Sequence, residues 1–251
     1  MSKIKVCLVG SGGKMGQALL AELKNDKDFG KVITVSRQHE ADHHGIFAVW
    51  ARKIDVVFNF TTSVATLETA QFCAENSLPL VTGTTGLSQT QMAKLGEFAE
   101  SAPILWSPNM SLAVNFIEMM LPLLAKILPT SADIEIVEQH HRAKEDSPSG
   151  TALFFAHGLA QALGKKIICG RAKGNSPGRD SQEIYIHSLR GGESAGGKNE
   201  VLFLAGQEEI VISHRALSNN VYAAGALLAA KWLIMQKPGL YSMKDIMPKL
   251  S

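Results

Sequence analysis

An α/β fold in two domains is predicted for this chain of 251 residues. In the first 110 residues, short β-rich runs alternate with stretches of helical spacing, which is typical of βαβ units and a parallel sheet. After that point, three strand-like runs follow one another with no helix between them, which favours an antiparallel or mixed sheet. Hydrophobic residues make up 45% of the chain, the balance of a protein that can fill a core.

The first region is predicted to form a parallel sheet with intervening helices. Its strands are Ile4 to Val9, Lys31 to Val35, Asp55 to Asn59, Leu80 to Val81 and Ile104 to Trp106. Its helices, recognised by apolar residues at helical spacing, are Met15 to Lys24, Ala65 to Glu75 and Ser88 to Ala99. Such sheets bind ligands beyond the carboxyl ends of their strands. Four loops of small residues are expected at that edge: Gly10 to Gly16, Thr61 to Ser63, Gly83 to Gly86 and Ser107 to Asn109.

The second region is predicted to be a smaller α+β domain. The last helix of the chain, Val221 to Met235, is apolar nearly all round and is expected to return to the first domain. The predicted domains are therefore residues 1–110, completed by 217–251, and residues 111–216. The elements of the second domain are the helix Leu112 to Leu128, the strand Asp133 to Glu138, the helix Thr151 to Leu163, and the strands Glu183 to Arg190, Glu200 to Leu204 and Glu208 to Ser213.

Composition argues against several classes of function. The formal net charge of +2 is too small, and the basic residues too evenly spread, to predict binding to nucleic acid or to an anionic membrane. No apolar run approaches the roughly 20 residues of a membrane span. The three cysteines, Cys7, Cys73 and Cys169, lack the spacing of a disulfide framework or a zinc site. We therefore expect a cytoplasmic protein that uses no metal.

A glycine-rich turn predicts a dinucleotide site in the first domain. The run Gly10-Ser11-Gly12-Gly13-Lys14-Met15-Gly16 follows a strand and opens a helix. In that context a pyrophosphate binds to backbone N–H groups at the start of the helix. The spacing, G-x-x-G-x-x-G, is one residue longer than the common pattern, and a tight turn without a ligand is the alternative. With its companion loops, the turn favours a Rossmann-like, dinucleotide-binding domain.

The end of the second strand indicates which dinucleotide is used. An NAD-selective site usually has an acidic residue here for the ribose 2′-hydroxyl. This chain has Ser36-Arg37, and a guanidinium suits a 2′-phosphate. We therefore expect NADPH to be used at least as well as NADH, unless Arg37 is only a solvated charge. The cluster that follows, His39, Asp42, His43 and His44, is interpreted as a variable loop rather than a metal site.

Basic side chains are densest between Glu138 and Thr151. His140, His141, Arg142 and Lys144 fall at the exit of a strand, and a Ser-Gly-Thr turn then starts a helix whose N–H groups favour an anion. A histidine can donate a proton near neutral pH while Lys144 holds a carboxylate. The segment therefore predicts a small-anion pocket suited to hydride and proton transfer. The alternative is a solvated charge run closed by an ordinary helix cap.

These motifs resemble those of the 4-hydroxy-tetrahydrodipicolinate reductases, also called dihydrodipicolinate reductases, of bacterial diaminopimelate and lysine biosynthesis. The resemblance implies NADPH- or NADH-dependent reduction of the cyclic 4-hydroxy-tetrahydrodipicolinate, with loss of water, to tetrahydrodipicolinate. It also implies a homotetramer assembled mainly through the sheet of the second domain. The matching segments are Val9 to Gly16, Thr82 to Gly86, Ser107 to Ser111, Glu138 to Thr151, and Gly225 to Trp232.

The resemblance also implies a role for individual residues. His140 would be the proton donor, and Lys144 a catalytic residue that also binds the substrate. The remaining contacts to this small dicarboxylate heterocycle would come from His141, Ser149, Gly150 and Thr151. Together with Arg37, the residues expected to bind the cofactor are Gly10, Ser11, Gly12, Gly13, Lys14, Met15, Gly83, Thr84, Thr85, Ser107, Pro108, Asn109 and Met110.

Three positions depart from the family's pattern. Ser36 stands where many relatives carry an acidic residue, and Gly196 to Glu200 where relatives commonly read Gly-x-His. Lys198 or Asn199 would have to supply any contact made there. Asn219 replaces an Arg near the start of the last helix.

Two other functions remain as alternatives. One is another two-domain NAD(P)-dependent dehydrogenase of a small carboxylate, although such enzymes usually lack the His-His-Arg-x-Lys run. The other is a non-catalytic redox sensor that binds NAD(P)H, for which the sequence offers no helix-turn-helix or basic arm.

Overall fold

A computed structural model describes residues 2–35, 53–170, 178–193 and 196–248 of the chain. The chain divides into two compact units. Unit 1 comprises Met1–Leu112 and Asn220–Ser251, and unit 2 comprises Ala113–Asn219. Among the described residues, no helix is long and apolar enough to cross a membrane.

Unit 1 is built on a sheet whose described strands are all parallel. They lie in the order β11-β5-β4-β3-β1-β2, where β1 is Ile4–Val9, β2 Phe29–Val35, β3 Val56–Asn59, β4 Leu80–Thr82, β5 Pro103–Trp106 and β11 Gly239–Tyr241. This confirms the predicted parallel sheet and adds β11, a three-residue strand too short to leave a pattern in the sequence. The helices of unit 1 are α1 (Lys14–Asn25), α2 (Ser63–Glu75), α3 (Gln89–Ala99) and α6 (Asn220–Leu233), with a short 3-10 helix at Met243–Ile246.

Helices cover both faces of this sheet. Val6 and Leu8 of β1 pack with α1 and α6, whereas Cys7 and Val9 pack with α2 and α3. Successive side chains of a strand point to opposite faces, so a strand covered on both sides is apolar throughout. The run that predicted β1 is continuously apolar because helices cover both faces of this strand.

Unit 2 contains a mixed sheet, as predicted. The elements are α4 (Leu112–Ile127), β6 (Asp133–His140), α5 (Gly150–Leu163), β7 (Lys166–Cys169), β8 (Glu183–Arg190), β9 (Lys198–Ala205) and β10 (Glu208–Arg215). The described strands lie in the order β10-β9-β6-β8-β7, with β6, β8 and β7 parallel and β9 antiparallel to both neighbours. One face packs against α5, since Ile136, Phe203 and Phe155 belong to one buried cluster. The four-residue β7 was not predicted.

Candidate active site

The turn between β1 and α1 is shaped by two crowded glycines. Gly10 has a φ of +86°, and a Cβ there would lie 2.5 Å from Cγ2 of Thr61. A Cβ at Gly16 would overlap the carbonyl oxygen of Gly10. Both positions therefore need glycine so that the helix and the neighbouring loop can approach the turn. Gly12, by contrast, borders open space, since a Cβ there would meet nothing within 4 Å.

The start of α1 suits an anion. Gly13 is the N-cap residue, and among the described residues no side chain caps the helix. Gly12, Gly13 and Lys14 are exposed. N–H groups and the dipole of a helix start attract phosphate, and an exposed lysine adds a positive charge. The residues present therefore fit the pyrophosphate of a dinucleotide.

A buried network of hydrogen bonds lies at the same edge of the sheet. Asn59 Nδ2 donates to Thr69 Oγ1 at 2.6 Å, and Asn59 Oδ1 accepts from Thr66 at 3.3 Å. Thr66 Oγ1 also forms a hydrogen bond with Thr84 Oγ1 at 2.7 Å. The indole Nε1 of Trp106 donates to the carbonyl oxygen of Thr84 at 2.9 Å. The network thereby connects the ends of β3 and β5 to the loop that follows β4.

This network changes the interpretation of one predicted cofactor residue. Thr84 is buried, and both its hydroxyl and its carbonyl are engaged by the protein. Its side chain therefore holds the loop in shape, while Thr85 and Gly86 are exposed. Gly83 is crowded, because a Cβ there would lie 2.6 Å from the ring of Phe60.

The loop after β5 is held by its own side chains. Ser107 Oγ donates to the carbonyl oxygen of Asn109 at 2.8 Å, and the Ser111 backbone N–H donates to Asn109 Oδ1 at 2.9 Å. Ser107 and Met110 are buried, whereas Pro108 is exposed. A Cβ at Gly225 would overlap the carbonyl oxygen of Met110, so α6 packs directly on this loop.

In unit 2, a buried carboxylate organises the end of β6. Glu138 is fully buried. Its Oε1 accepts from Arg190 Nη2 at 2.7 Å and from the Ser149 backbone N–H at 3.2 Å. Its Oε2 accepts from Arg190 Nη1 at 2.8 Å and lies 2.5 Å from His140 Nδ1. Burial raises the pKa of Glu138, but hydrogen bonds from Arg190, Ser188 and His140 outweigh it and hold the pKa below its ordinary value.

The imidazole of His140 lies between Glu138 and Gly197. With Nδ1 against an ionised carboxylate, the ring carries a proton on Nδ1, and Nε2 is the nitrogen left for other partners. A Cβ at Gly197 would overlap Nε2. The side chain of His140 is 15% exposed. The ring is therefore held in one orientation with little free space around it.

Ser149 begins α5. Its Oγ accepts from the Ala152 backbone N–H at 3.2 Å and donates to Asn199 Oδ1 at 3.1 Å. Since Ser149 is also buried, its hydroxyl acts as a helix cap. Gly150 is exposed and borders open space, and Thr151 is half-buried. The side of the helix start that faces outward is formed by these two residues.

Lys144 returns towards the end of β6 through a tight turn. Its backbone N–H donates to the carbonyl oxygen of His141 at 3.1 Å. Its Nζ lies 2.7 and 2.8 Å from the two carboxylate oxygens of Asp146, and this hydrogen bonding lowers the pKa of Asp146. Arg190 Nη2 also donates to the carbonyl oxygen of Asp146 at 2.6 Å. Arg190 thus connects the Lys144 segment to Glu138.

Three residues of this cluster, Glu138, Asp146 and Arg190, received no role in the sequence analysis. Glu138 and Asp146 lie in the segment that matches the family, but their charges alone do not show which side chains they bind. Arg190 is 52 residues from Glu138 in the chain, so no local signal links the two. Only the pairing of β6 with β8 brings them together.

The structure describes two of the three places where the sequence departs from the family's pattern. Lys198 pairs with Glu200 at 2.8 Å, and Asn199 is the partner of Ser149. Asn219 directly precedes α6. Ser36, Arg37, His39, Asp42, His43 and His44 lie outside the described residues. In the described part of the chain, no group of three or more metal-ligating side chains is found.

Comparison with known proteins identifies the family. The model for the N-terminus of dihydrodipicolinate reductase matches residues 4–110, and the model for its C-terminus matches residues 113–247. This chain belongs to the dihydrodipicolinate reductase family. The 4-hydroxy-tetrahydrodipicolinate reductase of Psychrobacter arcticus is 34% identical to it, over 97% of this chain and 95% of that protein. The enzyme of the same name from Caldanaerobacter subterraneus is 37% identical, over 98% and 99%.

A solved structure supports the fold of this family member. A dipicolinate-bound dihydrodipicolinate reductase from Paenisporosarcina sp. TG-14 has a TM-score of 0.81 to this chain. The alignment covers 98% of this chain and 100% of the other, at 22% sequence identity. The architecture is therefore shared even where the sequences differ at most positions.

Proposed function

We propose that this chain is an NAD(P)H-dependent oxidoreductase that reduces 4-hydroxy-tetrahydrodipicolinate to tetrahydrodipicolinate in diaminopimelate and lysine biosynthesis. The reaction takes up one hydride and one proton and releases one water molecule. The observation that carries the proposal is the histidine of the family motif, His140, hydrogen-bonded to a buried carboxylate beside the start of α5. An enzyme of this kind is expected to act in the cytoplasm.

The cofactor is assigned to unit 1. When bound, the nicotinamide dinucleotide supplies the hydride. The exposed backbone at Gly12 and Gly13 and the uncapped start of α1 would hold its pyrophosphate. The loops at Thr85 and Asn109 would line the remainder of the site.

We infer that NADPH is used at least as well as NADH, because Arg37 suits a 2′-phosphate. Replacing Arg37 with alanine should raise the KM for NADPH more than the KM for NADH. Lys14→Ala is the matched control, since it removes a cation placed to meet the pyrophosphate that both cofactors share. It should weaken both cofactors equally. Equal losses in the Arg37 variant would contradict a 2′-phosphate contact.

The substrate is assigned to unit 2. It carries two carboxylates, and the cluster offers Lys144, His141 and the outward side of the α5 start at Gly150 and Thr151 as anion partners. The hydroxyl of Ser149 is already used by the cap, so its contribution is to hold the helix start in place. Binding both carboxylates orients the ring for reduction.

His140 is the proposed proton donor. In the protonated ring, Nδ1–H is held by Glu138 and Nε2–H is the proton that can be transferred. The ring hydroxyl leaves as water together with a proton from the neighbouring ring carbon, which gives a further double bond in the substrate ring. As the hydride adds to this unsaturated ring, the Nε2–H bond breaks and its electron pair stays on Nε2. The proton neutralises the negative charge that hydride addition leaves on the ring. Solvent then restores the proton on Nε2.

We also infer a homotetramer that uses the face of the unit 2 sheet opposite α5. Val137 and Leu202 are half-buried there, and Leu204 and Val211 are exposed. Apolar side chains gathered on one sheet face favour association between copies. Sedimentation should give the mass of four chains, and Val211→Lys should shift it to a smaller species. If the unsubstituted protein sediments as a monomer, this assignment is contradicted.

The proposed activity is tested by following oxidation of NADPH and NADH by absorbance. The cyclic substrate is made freshly from aspartate semialdehyde and pyruvate with the upstream synthase. His140→Ala should lower kcat by about 10²–10⁴-fold, the usual size of general acid catalysis, without changing the Kd for the cofactor. His157→Ala, an exposed histidine of α5, is the control and should keep the full rate.

The same assay separates the alternatives. A redox sensor would bind the cofactor without oxidising it, and another dehydrogenase would ignore this substrate. Either result, or an unchanged rate in His140→Ala, would contradict the proposed function.

A further inference from the structure

We propose that Glu138 and Arg190 are positioning residues that fix the tautomer of His140, so that only Nε2 exchanges a proton with the substrate. Glu138 does this by accepting the proton of Nδ1, and Arg190 by keeping the carboxylate of Glu138 anionic. The inference deepens the proposed function and rests on it, since it concerns the residue named there as the proton donor.

The first support is the burial and geometry of the carboxylate. A fully buried charged group is costly unless hydrogen bonds and an opposite charge compensate it. The guanidinium of Arg190 contacts both oxygens of Glu138, at 2.7 and 2.8 Å, in the two-pronged arrangement that is strongest for this pair. The carboxylate is therefore fixed in rotation as well as in charge. His140 Nδ1 lies 2.5 Å from its Oε2.

The second support is the choice of tautomer that this geometry imposes. An ionised carboxylate only accepts hydrogen bonds, so the ring nitrogen that faces it must carry a proton. Neutral His140 therefore exists as the Nδ1–H tautomer, with a lone pair on Nε2. When the ring is doubly protonated, the proton on Nδ1 is retained by Glu138, and the proton on Nε2 is the one released.

Arg190 has a separate part in this arrangement. Without a cation beside it, a buried carboxylate holding an imidazolium would compete for the Nδ1 proton, because the neutral acid is favoured by burial. Two hydrogen bonds from a guanidinium remove that tendency. The proton then stays on His140, and its position on the ring does not change during turnover.

Glu138 also ties the histidine to the substrate-binding helix. Its Oε1 accepts the backbone N–H of Ser149, the N-cap residue of α5. The same rigid carboxylate therefore sets both the direction of His140 and the place of the α5 start. A proton donor and an anion site held by one group keep a constant separation, which general acid catalysis requires.

The experiment combines kinetics with ¹⁵N NMR of histidine-labelled protein. The His140 signals are assigned by their loss in His140→Ala. In the unsubstituted enzyme, neutral His140 should be the Nδ1–H tautomer. In Glu138→Gln the side-chain amide can donate to Nδ1, so the Nε2–H tautomer should appear. At the same time kcat should fall by about 10²–10⁴-fold, with the KM for the cofactor unchanged.

Two further variants refine the result. Arg190→Lys keeps the charge but loses the two-pronged contact, and it should lower kcat by roughly 10-fold. Asp26→Asn is the structural control, since it removes a carboxylate that Lys231 binds at 2.8 Å in unit 1. It should lower the melting temperature and leave kcat unchanged. If Glu138→Gln fails to fold, the double variant Glu138→Gln/Arg190→Gln leaves no unpaired buried charge and should show the same loss of kcat.

The outcomes are distinguishable. A Glu138→Gln enzyme that keeps the Nδ1–H tautomer overturns the inference, whether its kcat is lowered or not, and so does a double variant with full kcat. If His140→Ala keeps the full rate, the proposed function itself is wrong. Loss of turnover in His140→Ala, together with the altered tautomer and lowered kcat in Glu138→Gln, supports both.

Discussion

Lys144 and Asp146 form a two-pronged ion pair, with Lys144 Nζ 2.7 Å from Oδ1 and 2.8 Å from Oδ2 of the carboxylate. Asp146 is therefore bound to the ammonium group of Lys144, which is proposed to bind a substrate carboxylate. The pair is open to solvent, since the side chain of Asp146 is 61% exposed, and exposed pairs contribute only about 0.2–1 kcal/mol. A dianionic substrate can displace Asp146 at that small cost.

Asp146→Asn should therefore lower the KM for the cyclic substrate, by up to about fivefold, because the competing carboxylate is lost. Steady-state kinetics at saturating cofactor measure this. Glu145→Gln is the matched control, as it removes the same charge one residue away from an exposed position, and its KM should not change. A raised KM in Asp146→Asn would mean that Asp146 orients Lys144 instead of competing for it.

Gly197 leaves no room for a side chain beside the proton donor. A Cβ at this position would overlap Nε2 of His140, so Gly197→Ala must displace the imidazole or cover its reactive nitrogen. We expect kcat to fall by about 10²-fold, the usual cost of a misplacement near 1 Å, with cofactor binding unchanged. Gly191→Ala is the control. The backbone N–H of Gly191 donates to the carbonyl oxygen of His140, but a Cβ at Gly191 would enter open space. Equal rates in the two variants would contradict this prediction.

The three cysteines should differ sharply in reactivity. Cys7 and Cys73 are buried in the core of unit 1, and burial raises the pKa of Cys7 to about 12. Since the thiolate is the reactive form, both should resist alkylation in the native state. Cys169 is exposed. A thiol reagent should modify one cysteine before unfolding and all three after it, and mass spectrometry should locate the first adduct at Cys169. Native modification of Cys7 would contradict the burial argument.

Local patterns predicted five of the six described strands in the sheet of unit 1, but not the hydrogen-bond partners in unit 2. The run from Val6 to Val9 is apolar because both faces of β1 are covered, and that requirement is visible in the sequence. The contact between Glu138 and Arg190 depends on the register that places His140 opposite Arg190 in neighbouring strands. Because β6 and β8 are parallel and are separated in the chain by α5 and β7, no hairpin turn sets this register.

Ser149 and Thr84 illustrate the same limit at single side chains. The sequence predicted correctly that a helix starts after Ser149, since serine before a helical run is a strong cap signal. The direction of its hydroxyl, towards Asn199, depends on a strand 50 residues away. Thr84 similarly lies in a loop of small residues that is expected at a cofactor site. Its hydroxyl, however, is hydrogen-bonded to Thr66 of α2.

The buried hydrogen bond between Thr66 and Thr84 predicts an effect on cofactor binding. Thr66→Val keeps the shape of the side chain but removes the 2.7 Å hydrogen bond to Thr84, which leaves a buried hydroxyl without one of its partners. The free energy of unfolding should fall by about 1–3 kcal/mol. The KM for NADPH and for NADH should both rise several-fold, since the loop at Thr84 loosens, while kcat at saturation stays the same.

Thr69→Val is the matched control for this effect. Thr69 belongs to the same network, but its hydroxyl accepts from Asn59 Nδ2 at 2.6 Å and donates to the carbonyl oxygen of Ala65 at 2.7 Å. Its unfolding free energy should fall similarly with a smaller change in cofactor KM. If both variants raise the KM equally, the effect is a general loss of stability rather than a consequence of the Thr84 contact.

The carboxylate of Glu138 should make the protein sensitive to acid. In the folded state, burial raises its pKa, but hydrogen bonds from Arg190, Ser188 and His140 outweigh it and bring the pKa below the ordinary value of 4.5. A carboxyl group with a lowered folded pKa stabilises the fold fully above its ordinary value, and that stabilisation is lost as the pH falls through the folded pKa. In urea unfolding, the free energy of unfolding should therefore decrease below about pH 4.5.

The variant Glu138→Gln cannot titrate at this position. The difference in unfolding free energy between this variant and the unsubstituted protein should therefore become smaller as the pH falls through that range. Parallel pH profiles for the two proteins would contradict the role assigned to this carboxylate.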